Sequence, residues 1–308
     1  MRLFEDRDFR RVDAPAADAP LATGSTSGPG EKPGALNAHH DEQVHGSSRS
    51  AFARIKYTYE ISALYVGWFV FGSICLTASF TAGFLHYVLP RKFGARFGQR
   101  MITTGFKLFM GYLALTRLVK CDVRALDQLK HERGLILAPN HPSLIDAVLV
   151  ISRLPRVTCI MKAVLWDNIV LGGGSRLAGF VRNDSQPNMV RASVAALREG
   201  GQLLMFPEGT RTVEQPINPL KGAIALIAKK SQAPVQTILI ESNTEFLGKH
   251  WPTLKKPTFP LYYRVTLGKR FDPPCDDKIV ENKAFIAELD AYFRSVLTDA
   301  SHQPLPPH

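Results

Sequence analysis

The 308-residue chain has only four cysteines, Cys75, Cys121, Cys159 and Cys275, and they stand far apart. No CxxC pair and no Cys/His cluster has zinc spacing, so no metal site is expected. Four scattered thiols in a chain this long make a disulfide framework a poor reading; they fit small core residues of a reduced compartment, which puts the catalytic part in the cytosol. Internal repeats are lacking, as is any Gly-x-Ser-x-Gly elbow that would mark a serine nucleophile. The run Gly172-Gly173-Gly174 is followed by no Walker lysine pattern and reads as a mobile turn, not a phosphate loop.

Acidic residues are the scarcer sign, 27 against 38 basic ones, for a net charge of +11. The imbalance is local: residues 1–48 sum to −3, residues 49–120 to +9 and residues 121–308 to +5. Within 49–120 a single acid stands against ten bases. The excess shares its segment with the longest apolar run, the pattern of a membrane-seated element and not of a nucleic-acid groove. A lipid surface is the anionic partner expected, and no nucleic acid.

From Ile61 to Pro90, thirty residues pass without one Asp, Glu, Lys or Arg. As a helix this would extend roughly 45 Å, more than the ~30 Å of a hydrocarbon core. A buried helix of a soluble core is the alternative, but such helices rarely run so far without charge. Bases flank both ends, Arg49, Arg54 and Lys56 before and Arg91, Lys92, Arg96, Arg100 and Lys107 after, with a weak bias toward a cytoplasmic C-terminal side. Phe93–Val119 mixes apolar and basic positions at helical spacing, which suits a helix in the headgroup layer or the return arm of a hairpin. One span, two spans and a one-leaflet seat all fit.

Residues 1–50 hold Ala-Pro and Ser-Gly stretches with few large apolar side chains, so a disordered tail is expected there. The apolar run starts too late for a secretory signal, and His39, His40 and His45 read as solvated tail residues, not a metal site. Beyond Cys121 short apolar runs alternate with helical ones. GLILAPN, VTCIM, GFVRN, QLLMF, VQTILI and a stretch near 261–270 read as strands, with helices over 142–154, 187–199, 222–231 and 283–298. The expected fold class is α/β, a mostly parallel sheet flanked by helices and preceded by an N-terminal hydrophobic helical membrane anchor. The expected organisation is a tail over 1–50, an anchor over 51–120, a catalytic domain over 121–300 and a flexible C-terminus over 301–308.

Two segments carry chemistry. Asn140-His141-Pro142-Ser143-Leu144-Ile145-Asp146 falls where a strand ends and a helix begins, with Pro142 suited to the first helical position. If His141 precedes the helix, Asp146 can accept its imidazole N–H, fix the tautomer and raise its basicity. His-x4-Asp alone is weak, since about 0.4 such pairs arise by chance from this chain's 9 His and 15 Asp. Phe206-Pro207-Glu208-Gly209-Thr210-Arg211 supplies the second half, an acid, a glycine, a hydroxyl and a guanidinium directly after another strand. Taken alone it could be an ordinary turn.

Together the two segments resemble the glycerolipid acyltransferase family that includes the 1-acylglycerol-3-phosphate acyltransferases, whose first block is Asn-His-x4-Asp and whose third is Phe-Pro-Glu-Gly-Thr-Arg. The similarity covers about residues 120–245, with a weaker fourth block at Ala233-Pro234-Val235-Gln236-Thr237-Ile238. The second block, commonly Gly-x-x-Phe-Ile-Asp-Arg, stands here as Gly179-Phe180-Val181-Arg182-Asn183-Asp184, its arginine and aspartate displaced.

The resemblance implies His141 as general base and Asp146 as its support, acting on the free hydroxyl of a lysophosphatidic-acid-like acceptor. The donor is an acyl thioester of CoA or acyl-carrier protein, used as co-substrate without a further cofactor, and the product is phosphatidic acid for phospholipid biosynthesis. Substrate binding falls to Glu208, Gly209, Thr210, Arg211 and Arg182, with Arg211 as the fork for a phosphate and Arg182 as a second candidate for it. Backbone N–H groups of the Glu208-Gly209-Thr210 turn could hold the oxyanion, Glu208 could orient Arg211 or touch glycerol hydroxyls, and Lys162 could add positive charge. Tyr262, Tyr263 and Trp251 could line an acyl channel, though rings so spaced more often pack a core. The expected location is an inner or plasma membrane with the catalytic domain facing the cytoplasm. The displaced second block keeps two alternatives open: another acceptor such as a lyso-ornithine lipid, or a non-catalytic lipid-binding protein on the same fold.

Overall fold

The computed structural model describes residues 38–274 and 279–300. Its backbone contacts divide the chain into two units, Met1–Phe52 and Ala53–His308. Residues 1–37, 301–308 and Cys275 lie outside the described residues, as do most of the expected tail and all of the expected flexible C-terminus. The first helix, α1, runs Ala38–Val88, so residues 38–50 are helical where a disordered tail was expected. Once the apolar run has nucleated a helix, each residue added upstream gains a hydrogen bond without a new nucleation cost.

Within the larger unit, Pro90 precedes α2 (Arg91–Leu115), which folds back on α1. Tyr112 Oη donates to Ala63 O at 2.7 Å and Tyr59 Oη to Thr116 O at 2.9 Å. The Phe71 ring lies 5.0 Å from Phe109 and 6.1 Å from Phe106, so the two helices form an antiparallel hairpin. The stretch Ala51–Leu85 is long and apolar enough to cross a membrane, by length and composition. Much of its apolar surface is uncovered by protein, including Phe69, Phe80 and Phe84. Single exposed apolar residues are ordinary, but a helix of them asks for an apolar environment.

Seven strands form one sheet: β1 (Val119–Asp122), β2 (Leu135–Pro139), β3 (Val157–Lys162), β4 (Val181–Asn183), β5 (Gln202–Leu204), β6 (Val235–Ser242) and β7 (Leu261–Phe271). Their order is β1-β7-β6-β2-β5-β3-β4, with every pairing parallel except β6 with β7. The expected mostly parallel α/β sheet is the observed one.

β2 is central and buried along its whole length. Leu135 and Leu137 face the core shared with α3 (Asp146–Arg153) and α2, whereas Ile136 and Ala138 face α6 (Gln186–Arg198), α7 (Ala223–Ser231) and α8 (Ile279–Ala300). A parallel strand covered on both faces must be apolar on both, which is why GLILAP shows no alternation. Cutting Leu137 to alanine removes contacts worth about 2–5 kcal/mol. The register Leu137↔Leu204 sets the C-terminal ends of β2 and β5 side by side, where open α/β sheets hold their working loops.

Two local expectations are corrected. Pro142 is not the first residue of a helix: α3 begins at Asp146, and residues 141–145 form a turn. The Asp146 carboxylate accepts Ser143 N–H at 2.8 Å, which holds the chain in that turn and delays the helix. Gly172-Gly173-Gly174 is not a loop but the start of the short helix α5 (Gly172–Leu177), which follows the single-turn helix α4 (Ala163–Trp166). A Cβ on Gly173 would lie 2.7 Å from Ser79 O and 2.9 Å from Ser79 Cα, so the glycine lets α5 touch the backbone of α1.

Candidate active site

The turn after β2 and the turn after β5 meet at the centre of the sheet edge. His141 Nδ1 lies 2.9 Å from Asp146 Oδ2, and the same oxygen accepts Ser143 N–H. A carboxylate only accepts, so the proton of the first contact belongs to Nδ1 and Nε2 keeps its lone pair. The ring is stacked on Phe206 at 3.7 Å between centroids and 18° between planes, which fixes its tilt. The His141 side chain is 14% exposed and that of Asp146 0%, so the imidazole is reachable and its partner is not.

Burial pushes the Asp146 carboxyl above the usual range; the His141 contact, Ser143 N–H and the nearby Arg211 guanidinium pull against that shift. Tyr263, also buried, has its hydroxyl pushed up by desolvation and by the neighbouring Asp146 charge.

Glu208 does neither of the jobs expected of it. It is fully buried, and Oε1 accepts His141 N–H at 2.8 Å and the Thr212 hydroxyl at 2.9 Å, while Oε2 accepts Asn218 N–H at 3.0 Å. With those three donors on its oxygens it neither orients Arg211 nor meets a glycerol hydroxyl; it ties the third-block turn to the histidine turn. Thr212 N–H donates to His141 O at 2.7 Å and completes the tie. Burial raises the Glu208 carboxyl, opposed by these three donors.

Gly209 adopts φ +70°, and its N–H already donates to Phe206 O at 3.0 Å, so it is not an oxyanion donor. Of the Glu208-Gly209-Thr210 turn, the Glu208 and Thr210 N–H groups are the amides without a hydrogen-bond acceptor among the described residues.

The two arginines part company. Arg211 is partly buried and donates to Leu247 O at 3.0 Å and Gly248 O at 2.7 Å. Those acceptors are neutral, so its charge is not cancelled by an ion pair, and it lies close enough to Asp146 to feel that carboxylate. Burial lowers its pKa, but a guanidinium stays charged. Arg182, on β4 at the sheet edge, pairs with Asp167 at 2.7 Å and Asp184 at 3.2 Å. Arg182, the second candidate for the phosphate fork, therefore already holds two carboxylates. Lys162, at the end of β3, is exposed.

The aromatic stripe is packing. Tyr263 is buried in the core, Trp251 packs edge-on against Phe246, and Tyr262 turns outward beneath Lys120. Missed from sequence were Asn218 and the carbonyls of Phe246, Leu247 and Gly248, which accept from Ser143, Leu144 and Arg211. Backbone acceptors leave no side-chain signature. Among the described residues no group of three or more His, Cys, Asp or Glu could hold a metal ion.

A carboxylate-steadied imidazole at the carboxyl ends of parallel strands, beside a guanidinium with no carboxylate hydrogen-bonded to it among the described residues, is an arrangement able to act as a general base next to a positive charge. Residues 120–241 match the Acyltransferase family model. It is 25% identical to the chloroplastic 1-acyl-sn-glycerol-3-phosphate acyltransferase BAT2 of Brassica napus, over 54% of this chain and 52% of that protein. It therefore spans about half the length of this curated relative. The fold matches the 1-acyl-sn-glycerophosphate (LPA) acyltransferase PlsC of Thermotoga maritima, with TM-score 0.61 at 17% identity over 82% of this chain and 99% of the other.

Proposed function

We propose that this protein is a membrane-bound O-acyltransferase that moves a fatty acyl group from an acyl thioester to the free hydroxyl of a lysophosphatidic-acid-like acceptor, giving phosphatidic acid. The observation that carries the reading is the 2.9 Å contact between His141 Nδ1 and Asp146 Oδ2. It leaves Nε2 as the base. In the step derived from it, Nε2 takes the acceptor's hydroxyl proton as that oxygen bonds to the thioester carbonyl carbon. The tetrahedral oxyanion then collapses, the C–S bond breaks, and the departing thiolate takes the proton from the imidazolium. The products are an ester and a free thiol, CoA or acyl-carrier protein, with no acyl-enzyme.

Arg211 is the phosphate fork of this reading, since a dianionic acceptor supplies better acceptors than the two carbonyls it now holds. The Glu208 and Thr210 N–H groups are the candidate oxyanion donors, in a turn that the Glu208 carboxylate holds against His141. The uncovered apolar surface of α1 supports a membrane seat; an inner or plasma membrane with the catalytic domain on the cytoplasmic side is the location proposed, on the basic residues that follow the apolar run.

A second acceptor, such as a lyso-ornithine lipid, is favoured by one feature, the altered second block, whose Arg182 is already paired with Asp167 and Asp184. The test is incubation of the protein in membranes with labelled acyl-CoA or acyl-carrier protein and a panel of lysolipids. Phosphatidate as the main product supports the first reading. Turnover of another lysolipid with lysophosphatidate untouched rejects it, and no transfer to any acceptor favours a non-catalytic lipid-binding protein.

A further inference from the structure

Glu60 is the single acidic residue between positions 49 and 120, and it is buried one residue before the charge-free run begins. A lone charge in such a place is costly, so its partner matters. That partner is Lys256, whose Nζ lies 2.6 Å from Glu60 Oε2, with side chains 20% and 10% exposed. Lys56, one helical turn earlier, approaches only to 3.8 Å and is far more open. The Lys256 ammonium also sits 4.8 Å above the Tyr57 ring and 5.8 Å from the Phe259 ring. Cation–π contacts on two sides and a short ion pair make this a seated lysine, unlike an exposed surface pair.

Lys256 belongs to the loop 243–260, which joins β6 to β7. The other limb of that loop reaches the site. Phe246 O accepts the Ser143 hydroxyl at 2.8 Å, Leu247 O accepts Leu144 N–H at 3.1 Å, and Leu247 O and Gly248 O are the two acceptors of Arg211. Leu247 stands at φ +59°, a left-handed conformation costly for leucine, in the turn that supplies these carbonyls. Between the limbs, Gly248 N–H donates to Glu245 O and Trp251 N–H to Gly248 O, and the Trp251 indole donates to Lys255 O.

We propose that Glu60 and Lys256 are a positioning pair that clamps loop 243–260 between the apolar helix α1 and the active site, and so sets where Arg211 meets the acceptor's phosphate. The assignment to phosphate binding rests on the acyltransferase reading above; the clamp itself does not. The pair touches no substrate and acts through the loop carbonyls. Losing either charge frees the loop, and Arg211 loses both acceptors that define its position; the His141 turn loses its Phe246 and Leu247 acceptors but keeps the Asp146 bonds to His141 and Ser143 and the Glu208 bond to His141 N–H, so the larger effect falls on Arg211.

The test uses the full chain in phosphatidylcholine–phosphatidylglycerol vesicles, with Glu60→Gln, Lys256→Met and Lys256→Arg. Two quantities are read: KM and kcat for lysophosphatidate, and hydrogen exchange of the Gly248 and Trp251 amides without substrate. Expected for Glu60→Gln and Lys256→Met is a KM raised roughly tenfold with kcat changed less than about threefold, and faster exchange at both amides. Lys256→Arg keeps the charge and restores both readings. Unchanged KM and exchange in the two charge-removing variants overturns the proposal, as does a lower melting temperature with KM and exchange unmoved. Should a charge-removing variant not fold, Glu60→Asp, which shortens the reach by one methylene, takes its place with the same two outcomes. If wild type acylates no lysolipid, the acyltransferase reading fails and the exchange data alone still decide the clamp.

Discussion

Arg211 and Arg182 are both candidate phosphate forks in the linear sequence, yet the centre and the edge of the sheet treat them in opposite ways. At the centre Arg211 is partly buried and held by two backbone carbonyls, 3.0 and 2.7 Å away, with its charge uncancelled. At the edge Arg182 is 39% exposed and bridges Asp167 and Asp184. An anion arriving at Arg211 displaces neutral dipoles, whereas one arriving at Arg182 must displace two carboxylates. The difference teaches that charge count around a site says less than what already satisfies each charge.

The contrast can be broken or sharpened by substitution. The largest effect is expected at the centre: His141→Ala lowers kcat by about 10²–10⁴-fold, the range for removing a general base. A rate within threefold of wild type would remove the chemical reason for separating centre from edge. Next, Glu208→Ala leaves the His141 and Asn218 amides and the Thr212 hydroxyl without their acceptor. Chemical denaturation is expected to show a loss on the order of 3 kcal/mol, and an unchanged midpoint would show that the two turns hold together without it.

A third prediction turns on pH. Asp146 has a raised carboxyl in the folded chain, so stability tied to its protonated form is complete below the ordinary value of 3.8 and is lost as pH rises through the native value. Asp146→Asn cannot lose it. The melting temperature of Asp146→Asn relative to wild type therefore climbs from pH 4 to pH 7 while activity falls, and a gap that stays constant with pH would contradict the direction of the shift. Smallest is the edge: Arg182→Ala removes exposed ion pairs worth about 0–1 kcal/mol and changes KM for lysophosphatidate less than about threefold.

The layer structure was legible in the chain because strands such as Leu135–Pro139 are buried on both faces and must be apolar throughout. The His141–Asp146 pair was legible because both partners are side chains five residues apart on either side of a turn. Glu208 was legible as a site residue but not in its role, since only folding reveals that its oxygens meet Asn218 and His141 main-chain amides. The Arg211 cradle was invisible for a similar reason, as a carbonyl at Leu247 or Gly248 exists whatever the side chain. The glycine triplet misled because a close approach to Ser79 is a tertiary demand that leaves the same letters as a loop.

The most direct measurement is acceptor discrimination: kcat/KM for lysophosphatidate over that for the matching monoacylglycerol, which lacks the phosphate, in wild type, Arg211→Met and Arg182→Met. The account predicts that the ratio falls by roughly 10–100-fold in Arg211→Met, the worth of a charge-assisted hydrogen bond, and stays within about threefold in Arg182→Met. A ratio that holds in Arg211→Met, or that collapses in Arg182→Met instead, would contradict it.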